Sequence, residues 1–195
     1  MAKKSPGIGA LKRYLKVRSR EDLLTDIVDL FTRLDSVRDY YQVRLAPEND
    51  AVVIEKYKAL IRNEFFPVRG FGQARLSIAR KAVSEYRKVS SSKASLVDLM
   101  LYYVETGVEF TNTYGDMDDA FYGSMGNMYK WAVKLIVENE IEELYESRCR
   151  KIVEDTSGIG WGLHDSLGDI CDENFGHDRE TPDDGVHRGA EGKSP

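Results

Sequence analysis

The chain has 195 residues, room for one domain with a proper core plus tails. Apolar residues make up 42%, so it can fold without metals or disulfides, and its two cysteines, Cys149 and Cys171, form neither a zinc ribbon nor a C-x-x-C redox pair. Its net charge of −5 conceals an uneven layout: residues 1–93 carry 20 Lys and Arg against 11 Asp and Glu, residues 94–176 carry 5 against 17, and residues 177–195 carry 3 against 5.

Nothing at the start reads as a secretion signal. Lys3 and Lys4 are followed by Gly7, Gly9 and a charged stretch from Lys12, which leaves no apolar h-region. The longest apolar run, Leu99 to Val104, falls far short of the ~20 residues a spanning helix needs. Two isolated thiols suit a reducing compartment, so the expectation is a cytoplasmic protein with no membrane partner.

Residues 1–10 read as a flexible N-terminus. From Leu11 to Phe175 the apolar residues recur at helical period, with proline only at Pro47 and Pro67. Ser19 is positioned to N-cap a helix, with Asp22 three residues on. Leu23, Leu24, Ile27, Val28, Leu30, Phe31 and Leu34 then form one apolar stripe. After Asp35–Ser36 a short helix runs from Val37 to Leu45 and ends before Pro47. Asn49 or Asp50 caps the next, whose stripe is Val53, Ile54, Tyr57, Leu60, Ile61 and Phe65, and Pro67 stops it.

Residues 67–73 form a turn, and a basic helix is predicted from about Gln73 to Val89. Ser90 to Lys93 is a polar linker at which the charge balance changes sign. The helix from Ala94 to about Tyr114 is apolar nearly all round at its start, the pattern of a helix buried inside a bundle. Gly115–Asp116 breaks the chain before a helix from about Met117 to Glu138, whose core face is Phe121, Met125, Met128, Tyr129, Ala132, Leu135 and Ile136. A helix from Ile141 to about Asp155, a glycine-rich turn over 156–162 and a last helix from Leu163 to Phe175 complete the domain. Residues 177–195 have no apolar period and read as a disordered tail. The fold predicted is all-α, an irregular multi-helix bundle or short helical superhelix of about eight helices. Its single domain covers 11–176, with a basic half (11–93) and an acidic half (94–176).

Three constellations are candidates for function. Glu105 and Glu109 share one helix face at i, i+4, and Asp116, Asp118 and Asp119 follow. Carboxylates gathered at a helix break could hold Mg²⁺ or Mn²⁺. The spacing is not an EF-hand and no Glu-x-x-His pair exists, so no metal site is assigned and no cofactor is expected. The simpler reading is helix capping by Asp116, with Asp118 and Asp119 favouring the helix N-terminus.

The second is the turn from Asp155 to Asp165. Alternating Gly158, Gly160 and Gly162 could aim amides at an anion, with Thr156 and Ser157 as hydroxyl donors, Trp161 as a stacking surface and His164 and Asp165 at the start of the last helix. It is neither a dinucleotide fingerprint nor a P-loop. The alternative is a helix C-cap at Gly158 and a tight corner with Trp161 in the core.

The third is basic: Arg69, Arg75, Arg80, Lys81, Arg87 and Lys88, with the N-terminal cations adding charge. Clustered cations are what phosphate binding needs, so nucleic acid is a possible partner. A solvated face, or pairing with the acidic half, explains the same residues. Ser124 lies in Tyr-Gly-Ser-Met-Gly, which is not a nucleophile elbow.

Two stretches, Val104 to Asp116 and Ile152 to Gly162, resemble an uncharacterised family of small helical bacterial proteins, classed as a domain of unknown function. The segment from Tyr40 to Pro47 and Ala74 to Ala82 are similar to it as well. The resemblance spans roughly residues 10–176. It implies an all-helical fold and a bacterial, cytoplasmic origin, and carries no activity or catalytic residue.

Three functional expectations follow. The first is a non-catalytic helical binding or interaction protein, working with a protein partner or as a homo-oligomer. The second is a ligand- or divalent-metal-binding protein, or an enzyme, with a polar pocket where Glu105, Glu109 and Asn112 meet the turn from Thr156 to His164. The third is a nucleic-acid binder acting through the basic N-terminal half.

Overall fold

The computed structural model describes residues 6–176. The expected disordered tail over 177–195 and the Lys3–Lys4 start lie outside them. Among the described residues the chain forms α1 (Ile8–Lys16), α2 (Arg20–Arg33), α3 (Asp35–Leu45), a single 3₁₀ turn at Pro47–Asn49, α4 (Asp50–Phe65), α5 (Leu76–Val89), α6 (Lys93–Tyr114), α7 (Asp119–Glu138), α8 (Glu142–Asp155) and α9 (Leu163–Phe175). There is no strand among them, and no helix is long and apolar enough to cross a membrane. The element beyond the predicted set is α1, which begins inside the segment expected to be flexible.

α6 is the axis of the bundle, and twelve of its residues are buried, among them Leu99, Met100, Tyr103 and Val104. α4, α5, α7 and α8 pack around it, and α9 closes the far side against α7 and α8. Each large apolar side chain taken from water there contributes on the order of 1.5–3 kcal/mol. At the centre Phe65 meets Tyr103, Phe110 and Phe121 with ring centroids 6.1, 5.7 and 6.2 Å apart and the rings steeply inclined, the edge-on geometry aromatic quadrupoles favour. α6 and α7 approach closely because residue 107 is glycine: a Cβ there would stand 2.3 Å from the Sδ of buried Met125.

Helix ends follow local chemistry. Ser19 Oγ accepts from the Asp22 amide at 3.0 Å and Asp22 returns the bond to the Ser19 amide at 3.3 Å, the capping box read from the sequence. Ser92 caps α6 by accepting from the Ser95 amide at 3.1 Å. Asp118, not Asp116, caps α7 by accepting from the Phe121 amide at 2.8 Å, so that helix starts two residues later than predicted. The chain turns into it through Gly115 at φ +97°, in the left-handed region open to glycine. Neither Asn49 nor Asp50 caps α4 through its side chain; Asp50 is buried and accepts from the Tyr86 hydroxyl at 2.7 Å.

The turn after α4 is longer than predicted, which moves the start of α5 from Gln73 to Leu76. The Ala74 amide reaches back to the Glu64 carbonyl at 2.8 Å with Ala74 at φ +45°. Gly72 lies so close to α4 that a Cβ would fall 1.8 Å from the Phe65 carbonyl oxygen. Leu60, assigned to the core stripe of α4, is exposed, because it sits off the face that meets α5 and α6.

Candidate functional site

The sequence places Glu105 and Glu109 on one face of α6, and the structure sets that face opposite α8. Between them lies a shallow depression of about 300 Å³ lined by Glu105, Glu109, Asn112, Thr113, Ile152 and Asp155. Asn112 Nδ2 donates to the Asp155 carbonyl at 2.9 Å, so the two resembling segments are neighbours in space. A second tie is Asp116: its carboxylate takes the Tyr122 hydroxyl at 2.5 Å and lies against Gly160, where a Cβ would come within 3.1 Å of it.

Both glutamates are already engaged. Arg148 of α8 donates Nε to Glu105 Oε1 at 2.6 Å and Nη2 to Oε2 at 2.8 Å, and its Nη1 bonds the Asp98 carboxylate. Lys58 of α4 joins Asp98 from the other side at 2.9 Å. Burial alone would raise the Asp98 carboxyl, but hydrogen bonds from Lys58 and Arg148 outweigh it and hold its pKa below the ordinary value. Burial works against the Arg148 charge in the same way, and the bonds to Glu105 and Asp98 overcome it. Glu109 is held by Arg62 through a two-pronged pair, one arm at 2.8 Å, with the guanidinium carbon 4.0 Å from the centre of the Phe66 ring. Two carboxylates each matched by a guanidinium form a structural brace joining α4, α6 and α8.

The expected pocket does not extend to the glycine-rich turn. Thr156 is fully buried; it donates its proton to the Val153 carbonyl at 2.6 Å, and its Oγ1 lies 3.0 Å from His164 Nδ1. That nitrogen also stands 3.0 Å from the Val153 carbonyl. His164 therefore ties α9 to the end of α8 and does not line the depression. The amides of Thr156, Ser157 and Ile159 are spent within the turn on the Val153, Glu154 and Thr156 carbonyls. Ser157 is exposed, and Asp165 is exposed in the first turn of α9. The C-cap of α8 falls at Thr156, with Gly158 (φ +88°) turning the chain two residues later. Trp161 is 63% exposed at φ +62°, which overturns the alternative that put it in the core and leaves its ring face open.

Among the described residues, no three His, Cys, Asp or Glu side chains come together as a metal ion would require. The basic candidates are differently engaged. Arg69 is exposed in the turn before α5; Arg75 makes a two-pronged pair with buried Glu64 at 2.8 and 3.0 Å; Arg80 donates to Ser124 Oγ of α7 at 3.1 Å; Lys81 is exposed on α5.

Sequence reading missed the state of the N-terminal helices. α1 and α2 contain no buried residue. Ile8, Leu11, Tyr14 and Leu15 on α1, and Leu24, Ile27, Val28 and Leu30 on α2, are all exposed. Arg18 sets the angle between them, lying over the Tyr14 ring at 5.2 Å and facing Asp22 and Asp26 of α2 at 3.9 and 3.7 Å. The 3.6-residue period that announced these helices was the available signal; nothing local says that neither would bury a side chain, although α2 leans on α3.

No curated protein and no solved structure is similar to the chain. A family model does match, over residues 7–175, from the turn before α1 to the end of α9. The chain belongs to the family described as a family of unknown function (DUF6155).

Proposed function

We propose that this is a non-catalytic interaction protein whose α1–α2 arm docks on a second copy of the chain. One observation carries the reading: two successive amphipathic helices place none of their apolar residues in the core. Apolar stripes left bare in this way mark surfaces that a partner covers. Ile8, Leu11 and Leu15 fall at i, i+3 and i+7, one face of α1.

Charge favours a second copy as the partner. α1 carries Lys12, Arg13 and Lys16 and no acidic residue. On α8, exposed Leu144 lies among Glu142, Glu143 and Glu146, an apolar point in an acidic surround. Docking of α1 of one copy on α8 of another matches both signs and both apolar elements. The bracing of Glu105 and Glu109 by arginine supports a non-catalytic role. Two free buried thiols fit a cytoplasmic setting, in a bacterial host as the family resemblance implies.

Light scattering coupled to size exclusion tests this. The expected result is a stable oligomer at low salt, converted to monomer by Leu11→Glu with Leu15→Glu while helical dichroism is unchanged. A monomer at every concentration would contradict it.

A further inference from the structure

We infer that the cleft between α5 and α7 is a binding site for a small amphipathic anion: an acyl or aryl body ending in a carboxylate or phosphate group. The cleft measures about 600 Å³, within the range typical of small-molecule sites. Its floor is apolar and adaptable, with Met100 from α6 and Met128 from α7. Trp131 stands on the rim, 58% exposed, an aromatic wall beside the buried methionines.

The cations are arranged around that floor. Arg80 and Arg87 on α5 are seven residues apart and so on one face, spaced by roughly 10 Å along the helix. Arg80 is held to α7 by its bond to Ser124 Oγ at 3.1 Å, and Ser124 is fixed in turn by the Tyr103 hydroxyl at 2.7 Å. Neither arginine has a carboxylate partner among the described residues, in a chain that pairs Arg62, Arg75 and Arg148 with carboxylates. Lys134 faces the same space from α7, with Glu138 3.6 Å from it. Guanidinium groups with open donors over an apolar floor suit a planar or tetrahedral oxyanion whose body is desolvated by the methionines. A basic segment such as α1 is excluded by the same charges, so the site is independent of the α1–α2 interface.

The test uses tryptophan fluorescence of the full chain carrying Trp161→Phe, which leaves Trp131 as the reporter. Laurate, lauryl phosphate, dodecyltrimethylammonium and inorganic phosphate are each titrated below the micellar range. Saturable responses to one or both lauryl anions are expected, the stronger naming the headgroup, with none to the cation or to phosphate alone. Arg87→Gln, whose side chain makes no hydrogen bond among the described residues, should weaken that binding about tenfold without changing the melting temperature. Equal responses to the anionic and cationic probes, a non-saturable response, or unchanged affinity in Arg87→Gln combined with Lys134→Gln would overturn the inference.

Discussion

Arg148 grips Glu105 with two parallel bonds, Nε to Oε1 at 2.6 Å and Nη2 to Oε2 at 2.8 Å, and extends a third arm to Asp98. One guanidinium thereby joins α8 to two turns of α6. Replacing it with methionine keeps the packing of its stem and removes the charge. Glu105 would then lose its cation, and Asp98 would keep only Lys58. Arg148→Met is expected to lower stability by about 1–2 kcal/mol, less than a fully buried pair would cost because water reaches this one. Urea denaturation of the two proteins measures it.

The same network makes stability depend on pH in a definite direction. The folded-state pKa of Asp98 lies below its ordinary value of 3.8. The ionised form is therefore the stabilising one: its contribution is complete above the unfolded pKa and disappears as pH falls through the folded one. Wild type should exceed Asp98→Asn in stability at pH 7, and the gap should narrow below about pH 4. Melting curves collected from pH 7 to pH 3 check this; a gap that widened with acid would reverse the sign.

Gly107 offers a packing test with an internal control. Gly107→Ala gains roughly 1 kcal/mol of helix propensity but drives a methyl into the sulfur of Met125, at a cost of about 1–3 kcal/mol. The single substitution should be neutral to destabilising. In a chain already carrying Met125→Ala the clash is gone, and the alanine should stabilise by about 1 kcal/mol. Non-additivity in this cycle reports the α6–α7 contact.

Burial governs the cysteines. It pushes the Cys149 thiol up to about 12, with neighbouring Cys171 adding to the effect. The Cys149 thiolate is thus scarce at neutral pH, and both sulfurs are buried. A disulfide-exchange reagent should label neither in the native protein and both in urea. Mass spectrometry after a timed pulse distinguishes the cases.

Much of this architecture is legible in the residues themselves. The apolar run around Leu99 to Val104 admits no solvent face, so α6 had to be central. α9 falls on its predicted bounds, Leu163 to Phe175. What local spacing cannot express is partnership at a distance. Glu105 and Glu109 do share a face, yet the arginines that occupy them come from 43 and 47 residues away in the chain. Trp161 looks like a core residue by composition and is exposed at a left-handed corner. Leu24, Ile27 and Val28 have the period of a buried stripe, and the period is silent about whether the covering surface belongs to the same molecule. The α5–α7 cleft was hidden for a related reason: Arg80, Met100 and Trp131 belong to three helices, and only their packing brings them together.

Hydrogen–deuterium exchange of the amides of α1, followed as protein concentration is raised, addresses the docking arm most directly. Docking predicts that protection appears in Ile8–Lys16 and, over the same concentration range, around Leu144 on α8. Amides of α1 that exchange at one rate from the most dilute to the most concentrated sample would contradict it.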